Sequence, residues 1–196
     1  DGNGNSYNVR YRKQLKQFLS EGFEDGMPTG WTTEGDASWS VGTGDYSTST
    51  GSHSGEKNAM ITHTIRNNET YLITPSMDLS GETSLKLSFW YINRAWGNDK
   101  DGFDVYYRVG TEGAWNELWS TTEAHGSWTN QEVTLTGLDA DYQLGFKMTD
   151  NYGYGVGLDD IQILSSVDWQ TVNGITEKST NLTGLDANTT YECQVH

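Results

Sequence analysis

The chain has 196 residues, 23 glycines, only two prolines, and a formal charge of −15. That length allows one large domain or two smaller ones. The acidity excludes a nucleic-acid partner, because phosphate neutralisation needs the opposite sign, and it disfavours an anionic membrane surface for the same reason. Divalent cations, neutral glycans and basic partners remain compatible with it. Hydrophobic residues make up 34%, yet eight Trp, eleven Tyr and five Phe supply large areas to bury or to present. No apolar stretch is long enough to span a bilayer. The start in mid-pattern places any export signal upstream. A single cysteine, Cys193, rules out an intramolecular disulfide and reads as a small core hydrophobe of a strand. The N-x-Thr sequons at Asn68, Asn181 and Asn188 are read as chance.

In chain order, Tyr11–Leu19 carries the only helix-like spacing, at Leu15, Phe18 and Leu19. It is expected to connect two units. Everything after it reads as short strands. Residues 58–64 alternate around Met60 and Thr62, and 71–73 form a short apolar run. Leu85, Leu87, Phe89 and Tyr91 keep a period of two, with Lys86, Ser88 and Trp90 opposite. Phe103, Val105, Tyr107 and Val109 repeat the pattern against Asp104, Tyr106 and Arg108. Val133 and Leu135 continue it, followed by Leu144, Phe146 and Met148, then by Leu158, Ile161 and Ile163. Glycine-rich links at 96–102 and 151–157 separate strands. Regularly spaced strands with turn chemistry between them predict an all-β fold, a sandwich or barrel. The hexapeptide 135–140 recurs at 182–187, which reads as one strand-to-turn solution used twice.

Four segments, 19–31, 71–79, 85–91 and 157–163, together resemble the cleaved-adhesin modules of bacterial gingipains and haemagglutinins, relatives of the MAM domains. The resemblance implies a jelly-roll β-sandwich over 18–164. The flanks resemble another family. Residues 7–12 and 167–173 look like strands C and C′ of a fibronectin type III domain, and 182–195 like strands E and F, with Tyr191 as a tyrosine-corner residue. The jelly roll is therefore read as an insertion between C and C′ of a split, incomplete fibronectin-like domain formed by 1–17 plus 165–196. Such a sheet exposes edges, so edge-strand self-association is expected there.

Two sets of residues are candidates for binding. Insertion requires neighbouring end strands, and alternation with Phe23 and with Ile161 and Ile163 turns Glu21 and Asp159 inward. Two buried carboxylates repel unless a cation or proton lies between them, so a structural Ca²⁺ is expected. Resemblance adds Asp36, ahead of Trp39, and Asp45 is a further donor, with Ser54 and Asn58 as additional oxygens. Solvated acidic loops are the plain alternative. The second set is a rim of aromatics and amides, Trp96, Asn98, Asp101, Tyr152 and Tyr154, suited to sugar stacking and hydroxyl hydrogen bonds. The same aromatics would equally cap the core. Tyr106 and Arg108 either floor a groove or pack under a loop as a second layer. Catalytic motifs are missing: the histidines lack metal spacing, and neither G-x-S-x-G nor paired acids of the E-x-D-x-x-E kind occur. The expected function is a non-catalytic, secreted or cell-surface bacterial adhesin-like module that binds host protein or glycan. The alternatives are an accessory carbohydrate-binding domain of a secreted hydrolase or peptidase, and a structural spacer.

Overall fold

The computed structural model describes residues 6–46, 50–62 and 65–196. The chain divides into two compact units, Gln17–Leu164 and the flanks Asp1–Lys16 with Ser165–His196. The flanking unit is a three-stranded antiparallel sheet in which β1 (Tyr7–Lys13) lies between β13 (Gln170–Ile175) and β14 (Tyr191–Val195). Tyr191 Oη accepts a hydrogen bond from the Asp186 amide at 3.0 Å. Cys193 is exposed on β14 rather than buried in a core.

The larger unit contains β2 (Gln17–Glu21), β3 (Thr32–Gly35), β4 (Ser40–Gly42), β5 (Asn58–Ile61), β6 (Glu69–Ile73), β7 (Leu85–Asn93), β8 (Gly102–Val109), β9 (Asn116–Thr121), β10 (His125–Thr134), β11 (Tyr142–Thr149) and β12 (Val156–Ser165). One sheet runs β10-β7-β12-β5-β4, with β2 also on β12, and the other runs β3-β6-β11-β8-β9. All pairings are antiparallel, and the two sheets make a jelly-roll β-sandwich. The helix-like spacing of Tyr11–Leu19 is overridden: those residues end β1 and begin β2, because backbone pairing with β14 and β12 satisfies more polar groups than a short isolated helix would. Residues 63 and 64 of the expected strand 58–64 lie outside the described residues, and β5 ends at Ile61.

The alternating residues form the core. Leu85, Leu87, Phe89 and Tyr91 from β7 meet Phe103 and Val105 from β8 and Leu144, Phe146 and Met148 from β11. Each such side chain contributes about 1.5–3 kcal/mol on burial. Trp31 stacks on Phe146 at 6.4 Å and takes the edge of Phe23 at 5.5 Å, closing one end. Val109 departs from the pattern and is exposed, whereas Arg108 on the opposite face is 9% exposed. That inversion marks a second layer outside the sheet. Gly145 leaves a gap at the centre of β11, and a Cβ there would lie 2.8 Å from the Trp115 ring that fills it.

Candidate ligand-binding and metal sites

Two loops of the sandwich are tied together by one carboxylate. Asp101, which precedes β8, has no solvent exposure and accepts from the amides of Asn151 at 2.7 Å, Gly153 at 2.9 Å and Gly155 at 2.7 Å. It anchors the 151–155 loop and does not face a ligand, which corrects its placement among the binding residues. Gly155 has φ +77°, and a Cβ would run into the Ile61 carbonyl. Gly155→Ala is expected to cost about 2–3 kcal/mol, measured by denaturant unfolding.

The anchored loop carries Tyr154. Its amide donates to the Arg94 carbonyl and its carbonyl accepts from the Tyr46 amide, both at 2.9 Å. The Arg94 guanidinium lies 4.6 Å from the Tyr154 ring centroid and binds Asp45 through both nitrogens, Nε and Nη2, at 2.7 Å each. Asp45 is fully buried by this pairing. Its placement as a calcium ligand is therefore corrected: both oxygens face a guanidinium, and it shapes the rim instead. Facing Tyr154, a tight turn is closed by reciprocal hydrogen bonds between Trp96 and Asp99 at 2.9 and 3.1 Å, with Gly97 at φ +62°. This turn leaves Trp96 62% exposed. Asn98 is exposed on the same turn. Tyr46, Trp96, Gly153 and Tyr154 line a cavity of about 350 Å³, within the range of small-ligand pockets. Tyr152 sits beside it with Arg66 4.7 Å above its ring, and Arg66 pairs with Asp99 at 3.0 Å. Tyr46 escaped the sequence reading. Its signal was the same aromatic-in-glycine-loop texture, over Gly42–Tyr46, that singled out the other rim residues.

Tyr106 and Arg108 belong elsewhere. On the outer face of the second sheet, Trp115 stacks on Tyr71 at 5.0 Å, and Tyr71 meets the Tyr106 ring edge-on at 5.9 Å. Arg108 covers Trp115 at 4.4 Å and Lys147 covers Tyr106 at 5.0 Å. Burial pulls the Lys147 amine down, but the Glu69 hydrogen bond and the Asp104 and Glu69 charges outweigh it and hold the amine above its usual value. The ring faces are thus occupied by one another and by cations. This is a packed second layer, and its Arg108 and Trp115 also line an open cavity of about 430 Å³ with Glu34 and Glu112.

The acidic residues gather at a seam. One edge of β12 is shared: β5 pairs with Val156–Leu158, β2 with Ile161–Leu164, and Asp159 and Asp160 lie between. Leu158 and Ile161 both enter the core, so one step of alternation is absorbed here, with Asp160 at φ +46°. Asp159 consequently turns toward the 51–54 loop instead of joining Ile161 and Ile163, which corrects its expected direction. It is fully buried and accepts from the amides of His53 at 3.0 Å, Ser54 at 3.2 Å and Asp160 at 2.8 Å. Burial pushes its carboxyl up to about 6, against the lowering effect of these amides. Asp160 accepts from Ser54 Oγ at 2.9 Å and meets His53 Nδ1 at 2.5 Å. The His53 ring stacks on Trp90 at 3.8 Å. Among the described residues, His53, Asp159 and Asp160 have ligand atoms within 4.8 Å of one another. Glu21 pairs across the strands with Ile161, and its Oε1 accepts from the Phe23 amide at 2.6 Å. The adjoining Gly22 borders the seam, since a Cβ there would lie 3.4 Å from Asp160 Oδ1. Asp36 is exposed at the end of β3, bonded through its amide to the Glu69 carbonyl, and is not part of this group. Sequence alternation missed His53 and Asp160 because their meeting depends on a loop folding over a bulge.

Residues 22–170 match the family profile of the MAM domain, meprin/A5/mu. The chain belongs to the MAM domain family. No curated protein matches it. This MAM domain is similar to the K3 cleaved adhesin domain of Lys-gingipain from Porphyromonas gingivalis, at 24% identity and TM-score 0.60, over 78% of this chain and 100% of that one. The K1 domain of the same protein gives 22% identity and TM-score 0.60, over 78% and 99%. The CBM22-1 xylan-binding domain from Paenibacillus barcinonensis Xyn10C gives 16% identity and TM-score 0.53, over 77% and 95%. At these identities the likeness is one of fold.

Proposed function

We propose that this MAM domain is a non-catalytic extracellular recognition module, secreted or held at a cell surface, that binds glycan in the cavity of Tyr46, Trp96 and Tyr154. The convergence of these three aromatics from separate loops onto one cavity carries the reading. Flat rings take the apolar CH face of a sugar, and exposed amides such as Asn98 take hydroxyls. The rings are held by Asp101 and by the Asp45–Arg94 pair, so the cavity exists before the ligand arrives. No helix of the described residues is long and apolar enough to cross a membrane.

Calcium is proposed at the seam. The donor set suits a cation: the carboxylates of Asp159 and Asp160 lie together with the His53 ring, the Ser54 hydroxyl is bonded to Asp160, and burial raises the Asp159 carboxyl. Asp159 and Asp160 would hold the ion beside His53, with Glu21 on the neighbouring strand, and its charge would offset theirs and tie the 51–54 loop to β12. For the flanking unit, the order β13-β1-β14 and the Tyr191–Asp186 bond support a fibronectin-like half-sheet whose outer strands pair between copies.

The glycan reading is tested by titrating a panel of oligosaccharides against the wild type and Trp96→Ala. Trp96→Ala is expected to weaken binding tenfold or more, about 1.4 kcal/mol. It should change stability by less than about 0.5 kcal/mol, because the side chain is mostly solvated. Equal affinity in both proteins, or no oligosaccharide bound by the wild type, would sink the proposal.

A further inference from the structure

The cavity on the outer face of the second sheet is separate from the rim. Its walls are Glu34 of β3, Arg108 of β8, and Glu112 and Trp115 of the loop between β8 and β9. That loop is shaped in advance. The Gly113 amide closes a turn on the Gly110 carbonyl at 3.1 Å, and a Cβ on Gly113 would run into the Val109 carbonyl. Beyond the turn, Trp115 is held by Tyr71 at 5.0 Å and by the Arg108 guanidinium at 4.4 Å.

Arg108 is only 9% exposed, yet much of its donor capacity is spare. Nε donates to Gln143 Oε1 at 3.0 Å, and Nη1 reaches Glu34 Oε2 at a long 3.4 Å. Nη2 donates to none of the described residues. Among those residues no fully buried side-chain nitrogen or oxygen lacks a partner, so the spare N–H groups open onto the cavity that Arg108 lines. Facing them is Glu34, an acceptor with its side chain 57% exposed. A long ion pair half open to water contributes little by itself. Two vicinal hydroxyls would improve on it: one accepts from Arg108 Nη2, and the other donates to Glu34. Glu112 adds a further acceptor and Trp115 an apolar wall. A free cation would face the guanidinium and a free anion the carboxylates, whereas a hydroxyl pair uses both.

We infer that this cavity is a second saccharide subsite, which binds a vicinal diol through Arg108 and Glu34. It stands independently of the rim. Asp101, the rim anchor, and Arg108 lie near opposite ends of β8, about 20 Å apart along an extended strand. One chain therefore offers two points of attachment, and a branched or long glycan that reaches both gains avidity.

The test titrates neutral oligosaccharides of xylose, glucose, mannose or galactose units into the wild type and Trp96→Ala, and follows the indole N–H signals by NMR. Trp115→Phe assigns the Trp115 signal by its loss. At least one member is expected to shift Trp115 in both proteins at millimolar concentration. Glu34→Ala alters a half-exposed side chain, and is expected to weaken that binding fivefold or more while the thermal melt stays intact. Arg108→Lys keeps the charge without the planar fork, and is expected to weaken it likewise. A Trp96 signal that responds while Trp115 stays silent would overturn the second subsite and leave the rim reading standing. Silence of Trp115 with every member of the panel would overturn it too. So would a Trp115 response whose affinity is unchanged in both Glu34→Ala and Arg108→Lys.

Discussion

Replacing Asp101 by alanine is expected to destabilise the sandwich by about 3–5 kcal/mol. The carboxylate is fully buried and satisfies the amides of Asn151, Gly153 and Gly155. Alanine leaves three donors without their acceptor and opens a void where the carboxylate sat. Each orphaned donor costs about 1–3 kcal/mol, reduced where water enters. For a chain of this length that lowers Tm by about 10 °C. Asp101→Asn keeps one acceptor oxygen and should cost roughly half as much. A loss below about 1 kcal/mol in Asp101→Ala, by chemical denaturation, would show that the 151–155 loop is held by something else. Oligosaccharide binding should fall with stability here, because Tyr154 rides on that loop. In Trp96→Ala only binding should fall.

The second large effect concerns Asp159 and pH. Its folded carboxyl titrates at about 6, above the ordinary aspartate value of 3.8. The folded state therefore holds the proton more tightly than the unfolded chain. Stability from this group is greatest below about pH 4, declines as pH rises through the window from about 4 to 6, and is lower by about 2–3 kcal/mol at pH 7. Calcium at the seam would offset the charge that burial disfavours. In EDTA, the wild type should lose this stability between pH 4.5 and 7, and Asp159→Asn should not. At pH 7, calcium at about a hundred times its Kd should restore about 2.7 kcal/mol, or roughly 5–10 °C. At pH 4.5 the proton competes and the gain should shrink. If calcium leaves the pH 7 melting temperature unchanged, the seam does not hold it.

The sandwich was legible because period-two alternation survives wherever a strand has one face in a core. Leu85 to Tyr91 read correctly for that reason, and so did Leu144 to Met148. The strands missed, β3, β4 and β9, are edge or near-edge segments with few apolar residues, held by backbone pairing more than by burial. The rim was half legible. Trp96 and Tyr154 stood out in glycine-rich loops, but nothing local indicated that Asp101 is the anchor beneath them, or that Asp45 belongs to Arg94. Tyr106 and Arg108 were placed on the correct strand face, yet alternation does not say whether a face is bare or roofed by Trp115.

By itself, then, the sequence determined the all-β class, the family resemblance and the absence of a disulfide, because these follow from residue type and spacing along the chain. Only the tertiary structure decided which carboxylates meet. The bulge at Asp160 shifts the parity of β12, and β5 and β2 divide its edge, so Asp159 and Asp160 face His53 across a loop more than a hundred residues distant in sequence. Such meetings depend on register and loop path, which side-chain periodicity does not encode.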